Sequence, residues 1–253
     1  MVMLMLGGCC TCSILWLGIA PHISRAGHPT WRHMCKFNNL NHIGLAMDMY
    51  HDRYGCYPPA YLADESGLPM HSWRVLILPY LVRSELYDAY NFEEPWNGPN
   101  NEQLAEQSVK TYSRADRLGY GLETPNEFMC PATRGERRTT TDYVAIVGSG
   151  HMFNGSESRN RSEILDGDSE TILIVEVINS NIHWMEPRDL TLDQLLTGSP
   201  TDQHLRTMSN HPGGFHALFC DGKVRFIRNQ IPVETFKALL TIGGGEKVPM
   251  EEF

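Results

Sequence analysis

The tightest constraint on the fold is an apolar stripe that stops abruptly. Within Trp31 to Tyr61, WRHMCKFNNLNHIGLAMDMYHDRYGCYPPAY, the residues Leu40, Ile43, Met47, Tyr50 and Tyr54 recur at steps of three and four. That spacing puts them on one face of an α-helix. Asn41, His42, Asp48 and Arg53 lie off the stripe. Gly55 is placed to end the helix, and Pro58-Pro59 forbid its return. A helix of about six turns with a single apolar face predicts a layer that covers it.

Upstream, residues 1 to 20, MVMLMLGGCCTCSILWLGIA, carry no charged side chain. Twenty such residues at about 1.5 Å rise match a bilayer core of about 30 Å. A secretory signal would want a basic start, which is missing, and Leu6-Gly7-Gly8-Cys9 resembles a lipoprotein box with few apolar residues before it. The expectation is an uncleaved transmembrane anchor over 1–22. Pro21, Gly27 and Pro29 interrupt the chain beyond this segment, so 23–30 reads as a linker and 31–253 as one domain. Arg25, Arg32 and Lys36 come after the span and nothing basic precedes it, which by the positive-inside rule alone keeps the domain in the cytoplasm.

The net charge of -9 argues against a phosphate-tracking surface, so no nucleic acid partner is expected. Cys9, Cys10 and Cys12 fall in the span; Cys35, Cys56, Cys130 and Cys220 fall in the body, too widely spaced for a zinc knuckle. Disulfides in an oxidising compartment and buried thiols both fit. Cys35 opens the long helix and Cys130 sits beside Pro131 in an irregular stretch. A Cys35–Cys130 bridge would close a long loop, and two separate thiols are the alternative.

Along the chain, Ser72 is placed to cap a short helix in WRVLILPYL and Ser84 another in ELYDAY. Phe92 to Asn101, dense in Pro, Gly and Asn, reads as loop, and Glu102 to Lys110 as a polar helix. Leu118 to Arg138 reads as irregular. The second half turns to strands. Asp142 to Val147 is a short one, and Thr171 to Val177, TILIVEV, is apolar enough to be buried on both faces. Phe215 to Phe219 and Lys223 to Ile227 flank Asp221-Gly222 as a hairpin with a two-residue turn. Pro232 to Thr241 reads as a closing helix, stopped by Gly243-Gly244-Gly245. Helix first and antiparallel strands later make the class α+β, with the long helix laid on a sheet.

No HExxH, phosphate loop, GxGxxG or GxSxG is present. His183, His204, His211 and His216 offer imidazoles that Glu176 or Glu186 would complete as a metal set, but their spacing places no ligand pair on one helix face. Asp166, Asp168 and Asp221 offer calcium ligands and are more simply turn formers. No catalytic residue, cofactor or metal is expected. His211 precedes Pro212-Gly213-Gly214, a flexible approach to the last hairpin, with no carboxylate at ligand spacing along the chain. It reads, with Asp221 and Gly222, as a lock on that hairpin.

Several strings taken together resemble a known family. Cys35-Lys36-Phe37-Asn38-Asn39-Leu40, Ile43-Gly44-Leu45-Ala46, Tyr50-His51-Asp52 and Tyr57-Pro58-Pro59-Ala60 resemble the start of a prepilin-like family of planctomycete-type bacteria, whose domain is of unknown function. Ser72 to Leu81, Cys130-Pro131, Asp142 to Ala145, Thr171 to Val177 and Trp184 to Leu190 continue the likeness. His211, nine residues, then Asp221-Gly222 is similar to that family's H-X9-DG signature. The resemblance implies a fold related to type IV pilins and type II secretion pseudopilins: a membrane helix, then an amphipathic helix packed on an antiparallel β-sheet. It implies a single-pass inner-membrane protein with its body displayed outside that membrane and no catalytic activity. Its partners would be other pseudopilin-like or secretion-assembly proteins. It marks Asn38, Asn39, His51, Pro58, Pro59, His211, Asp221 and Gly222 as motif positions with structural roles. Residues 1 to 20 hold no glutamate and no Phe-Thr-Leu-Val-Glu-like processing motif, unlike typical members. An extracytoplasmic ligand-binding or enzymatic domain on the same fold is the competing expectation.

Overall fold

The computed structural model describes residues 29–81, 84–112, 139–177, 180–197, 204–205, 208–209, 211, 213–246 and 248; the side chains of 29–38, 84, 106–112 and 204 are not described. The expected anchor over 1–22 lies outside these residues. In chain order the elements are α1 (Pro29–Tyr54), β1 (Tyr61–Ala63), β2 (Pro69–Ser72), α2 (Trp73–Leu76), α3 (Ser84–Ala89) and α4 (Pro99–Tyr112). After them come β3 (Tyr143–Val144), β4 (Ile172–Glu176), α5 (Leu192–Leu195), β5 (Leu196–Thr197), β6 (His204–Leu205), β7 (Gly214–Phe219), β8 (Val224–Arg228) and α6 (Val233–Ala238). The class is α+β with antiparallel sheets, as the sequence predicts.

The long helix begins with proline in its first turn, where the missing N–H costs nothing. It stops as the glycine signal predicts, with the Gly55 N–H bonded to His51 O at 2.7 Å. Leu40, Ile43 and Met47 are fully buried. Tyr54 departs from the expected stripe. It is exposed and packs its ring on Tyr50 at 4.5 Å, because at the helix end the covering layer has run out.

That layer is a four-stranded antiparallel sheet of order β3-β4-β7-β8. One face packs Tyr143, Ile174 and Leu218 with Leu40, Ile43 and Met47 of α1 and with Trp73. The other packs Val175, Phe215, Ala217 and Phe219 against Phe236 and Leu239 at α6. The central strands β4 and β7 are thus covered on both sides, which is why β4 reads as a nearly continuous apolar run. Gly44 sits where α1 crosses β7. A Cβ there would lie 3.0 Å from Leu218 Cδ1, so its lack of a side chain lets helix and sheet approach.

Ser72 caps α2 as expected, its hydroxyl accepting from the Arg74 N–H at 3.2 Å. Two expected elements are corrected. The stretch read as loop to Asn101 already turns helical at Pro99, because the Glu94 carboxylate reaches forward to accept from the Asn100 and Asn101 N–H groups at 2.9 and 2.8 Å. Pro and Asn, read as breakers, are here first-turn residues. The closing helix is also shorter than Pro232 to Thr241. Gly244 and Gly245 do not stop it; their N–H groups donate to Asp166 at 2.7 Å each. Leu118 to Arg138 lies outside the described residues.

Candidate functional site

The last hairpin is built differently from a two-residue turn. The Phe219 N–H donates to Lys223 O at 2.9 Å, and the Gly222 N–H donates to Phe219 O at 3.0 Å, so Cys220, Asp221 and Gly222 form a three-residue loop. Only the third residue needs the left-handed backbone, and Gly222 has φ +76°. Asp221 ties the loop from both sides. Its carboxylate accepts from the Lys223 N–H at 3.0 Å and from Arg225 at 2.9 and 2.7 Å, while its own N–H donates to Asp168 O at 3.0 Å. Partial burial pushes the Asp221 carboxyl up, but Arg225 and the Lys223 amide more than offset this and hold it below the usual range. A Cβ on Gly222 would meet only Asp48 Oδ2, at 3.6 Å. Gly222→Ala should therefore cost about 1 kcal/mol from the φ penalty alone, and Gly222→Asn less, since asparagine tolerates this region. Urea unfolding of the three proteins checks that order; equal stability of Ala and Gly forms would mean the loop relaxes freely.

Beside the hairpin, His211 meets a buried carboxylate. Its Nε2 lies 3.5 Å from Glu176 Oε2, and His216 Nδ1 lies 3.3 Å from the same oxygen. No carboxylate stands at ligand spacing from His211 along the chain, and the fold supplies one from elsewhere: β4 and β7 are sheet neighbours, so Glu176 and His216 meet across 40 residues of sequence. The three side chains are 1 %, 5 % and 1 % exposed for Glu176, His211 and His216. The two imidazoles stand edge to face at 4.7 Å, and Phe226 of β8 lies against both, at 5.2 Å from His216 and 6.4 Å from His211.

The other groups weighed as metal ligands go elsewhere. His183 is stacked between Trp96 and Trp184 at 5.2 and 6.1 Å, and burial pushes its pKa down to about 4. Glu186 pairs with Arg188 at 2.5 Å. The His204 side chain lies outside the described residues. The three aspartates weighed for calcium do not converge either. Asp166 holds the Gly244 and Gly245 amides, Asp168 faces Arg161 Nε at 3.6 Å, and Asp221 holds Arg225.

Of the remaining motif positions, Asn39, Pro58 and Pro59 are buried, and the Asn38 side chain is not described. His51 packs on Tyr57 at 4.9 Å. There Arg161 joins α1 to the later chain: its guanidinium donates to Asp48 Oδ1 and to the Tyr57 hydroxyl, each at 2.5 Å. Cys220 nearby is a free buried thiol whose pKa burial pushes up, the opposite of an activated nucleophile. Cys56 is also free. The Cys35 side chain and Cys130 lie outside the described residues.

One charged cluster escaped the sequence reading. Arg74 and Asp189 are both fully buried. Asp189 Oδ1 accepts from Arg74 Nη2 at 2.5 Å and from the Ala145 N–H at 2.8 Å; Oδ2 accepts from Trp73 Nε1 at 3.0 Å. Arg74 also donates to Tyr143 O at 3.1 and 3.3 Å and to Ser72 Oγ at 3.1 Å. Burial alone pushes the Asp189 carboxyl up and the Arg74 guanidinium down; each is the counter-charge that opposes the shift of the other. The signal was present in the sequence, since Ser72-Trp73-Arg74 and Asp189 stand in two of the strings that carry the family resemblance.

A long helix on a four-stranded antiparallel sheet, locked by buried charge and a glycine hairpin, defines an α+β domain. Residues 32–184 and 178–234 match the family described as protein of unknown function DUF1559, and the chain belongs to that family. No curated protein and no solved structure matches the chain.

Proposed function

We propose that this chain is a membrane-anchored, pseudopilin-like protein of the cell envelope that works through protein contacts rather than catalysis. The contacts belong to a secretion- or pilus-type assembly, or to a module displayed on the surface. The observation that carries this reading is α1: 26 residues, with one face buried on the antiparallel sheet, following closely in sequence on the uncharged 1–20 segment. Among the described residues no helix is long and apolar enough to cross a membrane, so the anchoring rests on that segment. On the outer face of α1, Leu45 and Met49 are 59 % and 42 % exposed one turn apart, a pair suited to a packing partner. The proposed place is the inner membrane, crossed once, with the domain outside it.

A reporter enzyme that works only in the periplasm, fused after Phe253, should be active. In the same cells a photo-crosslinker at Leu45 or Met49 should capture pilin-like or secretion-assembly subunits. Activity only from a cytoplasmic reporter would overturn the topology, and capture of metabolic enzymes alone would overturn the assembly role. The alternative, a ligand-binding or enzymatic domain on the same fold, draws its support from the buried Glu176, His211 and His216 group.

A further inference from the structure

We propose that Glu176 Oε2, His211 Nε2 and His216 Nδ1 bind one divalent transition-metal ion, with zinc the best chemical fit, and that the ion staples the approach to β7 onto β4. This departs from the sequence expectation of no metal, and it does not depend on where the protein is anchored.

The spacing is the first argument. The three ligand atoms all lie within 4.8 Å of one another. The two imidazole nitrogens stand 3.3 and 3.5 Å from the same carboxylate oxygen. A charge-assisted hydrogen bond would draw such atoms to about 2.7–2.9 Å. Ligands of a tetrahedral ion at bonds of about 2.0–2.2 Å stand about 3.3–3.5 Å apart. Both separations from the Glu176 oxygen fall in that range.

The donor set is the second argument. Two neutral imidazoles and one carboxylate suit Zn2+ and neighbouring ions of the first transition row. Calcium and magnesium want oxygen ligands and a higher coordination number, which two imidazoles do not provide. The third argument is how the backbone brings the groups together. Glu176 comes from β4, His216 from β7, and His211 from the segment just before β7. Gly213, between the two histidines, has the left-handed φ of +86° that glycine adopts freely, and residues five apart bring their imidazoles to one carboxylate oxygen. Phe226 flanks both rings and keeps the group from bulk water. With three protein ligands, a fourth position remains for water or another oxygen donor, and the ion's main effect is to fix His211 to the sheet.

The test uses the full-length protein, stripped with chelator and then titrated with Co2+ or Zn2+ alone. Wild type should take up one equivalent, show the visible d–d bands of four-coordinate cobalt with nitrogen ligands, and unfold at a higher temperature with zinc than with chelator. Glu176→Gln keeps the shape of the side chain. It and His211→Asn should each weaken cobalt binding by more than about 100-fold, beyond what loss of an outer-shell partner costs. If either variant fails to fold, the wild-type cobalt spectrum and the zinc shift decide by themselves. Wild type that shows neither stoichiometric cobalt binding nor a zinc-dependent midpoint overturns the site. So does undiminished binding in folded Glu176→Gln.

Discussion

Replacing Asp189 with alanine should destabilise the domain by about 3–5 kcal/mol, the cost of leaving one member of a buried ion pair without its partner. The Arg74 guanidinium is fully buried and would keep its charge with no carboxylate to face it. Trp73 Nε1 and the Ala145 N–H would lose an acceptor at 3.0 and 2.8 Å, and these donors come from α2 and from the end of β3, which Asp189 now joins. Arg74→Ala should cost a similar amount for the converse reason. The informative protein is the double variant Arg74→Met/Asp189→Leu. An apolar pair avoids the desolvation that the ions incur, but Trp73 Nε1, the Ala145 N–H and Tyr143 O still lose their partners, so it should recover only part of the loss. Urea unfolding of wild type, Arg74→Met, Asp189→Leu and the double variant closes the cycle, and the two alanine variants give the cost of breaking the pair from either side. If Asp189→Ala alone costs under about 1 kcal/mol, as an exposed pair would, water reaches the site and the buried-pair account is wrong.

The parts of this fold that were legible in the sequence are those set by local rules. The end of α1 was readable because glycine and two prolines act within a few residues. The β4 strand was readable because burial on both faces removes polar positions from the string itself. The helix at Pro99 was not, because the same residues that break a helix inside serve well in its first turn, and the Glu94 carboxylate that caps it stands upstream of the helix itself. The site chemistry was legible only as an unsorted pool. His183, His204, His211 and His216 are equivalent as letters; what separates His211 and His216 from His183 is that β4 pairs with β7 while His183 is wedged between two tryptophans. The Arg74–Asp189 pair spans 115 residues and obeys no short-range spacing. Its members showed only as parts of longer strings whose purpose the fold explains.

Gly214 shows the same limit most sharply, and Gly214→Ala should be among the most damaging single-methyl changes in the chain. In the string Pro212-Gly213-Gly214 it reads as flexible spacer, yet it is the first residue of β7, buried, and paired with Arg228. A Cβ on it would stand 2.1 Å from Ile227 O and 2.7 Å from two carbons of the Phe226 ring. The backbone oxygen belongs to the neighbouring strand and has no rotamer to escape into, so the β7–β8 ladder must open at its end. Overpacking of this kind costs about 3 kcal/mol, against about 1 kcal/mol for Gly222→Ala, where the added methyl has room and only φ is wrong. The two contacts separate experimentally. If the oxygen dominates, Gly214→Ala/Phe226→Ala stays as far below Phe226→Ala as Gly214→Ala is below wild type. If the ring dominates, shrinking it removes the penalty. A loss under about 1 kcal/mol in urea unfolding would mean that the strands part there at little cost. Because His216 comes two residues later and Phe226 flanks both histidines, a displaced strand end should also move the imidazoles relative to Glu176. Their ring signals in a proton–nitrogen correlation spectrum should therefore shift in Gly214→Ala and remain in place in Gly222→Ala, at the opposite end of the same hairpin.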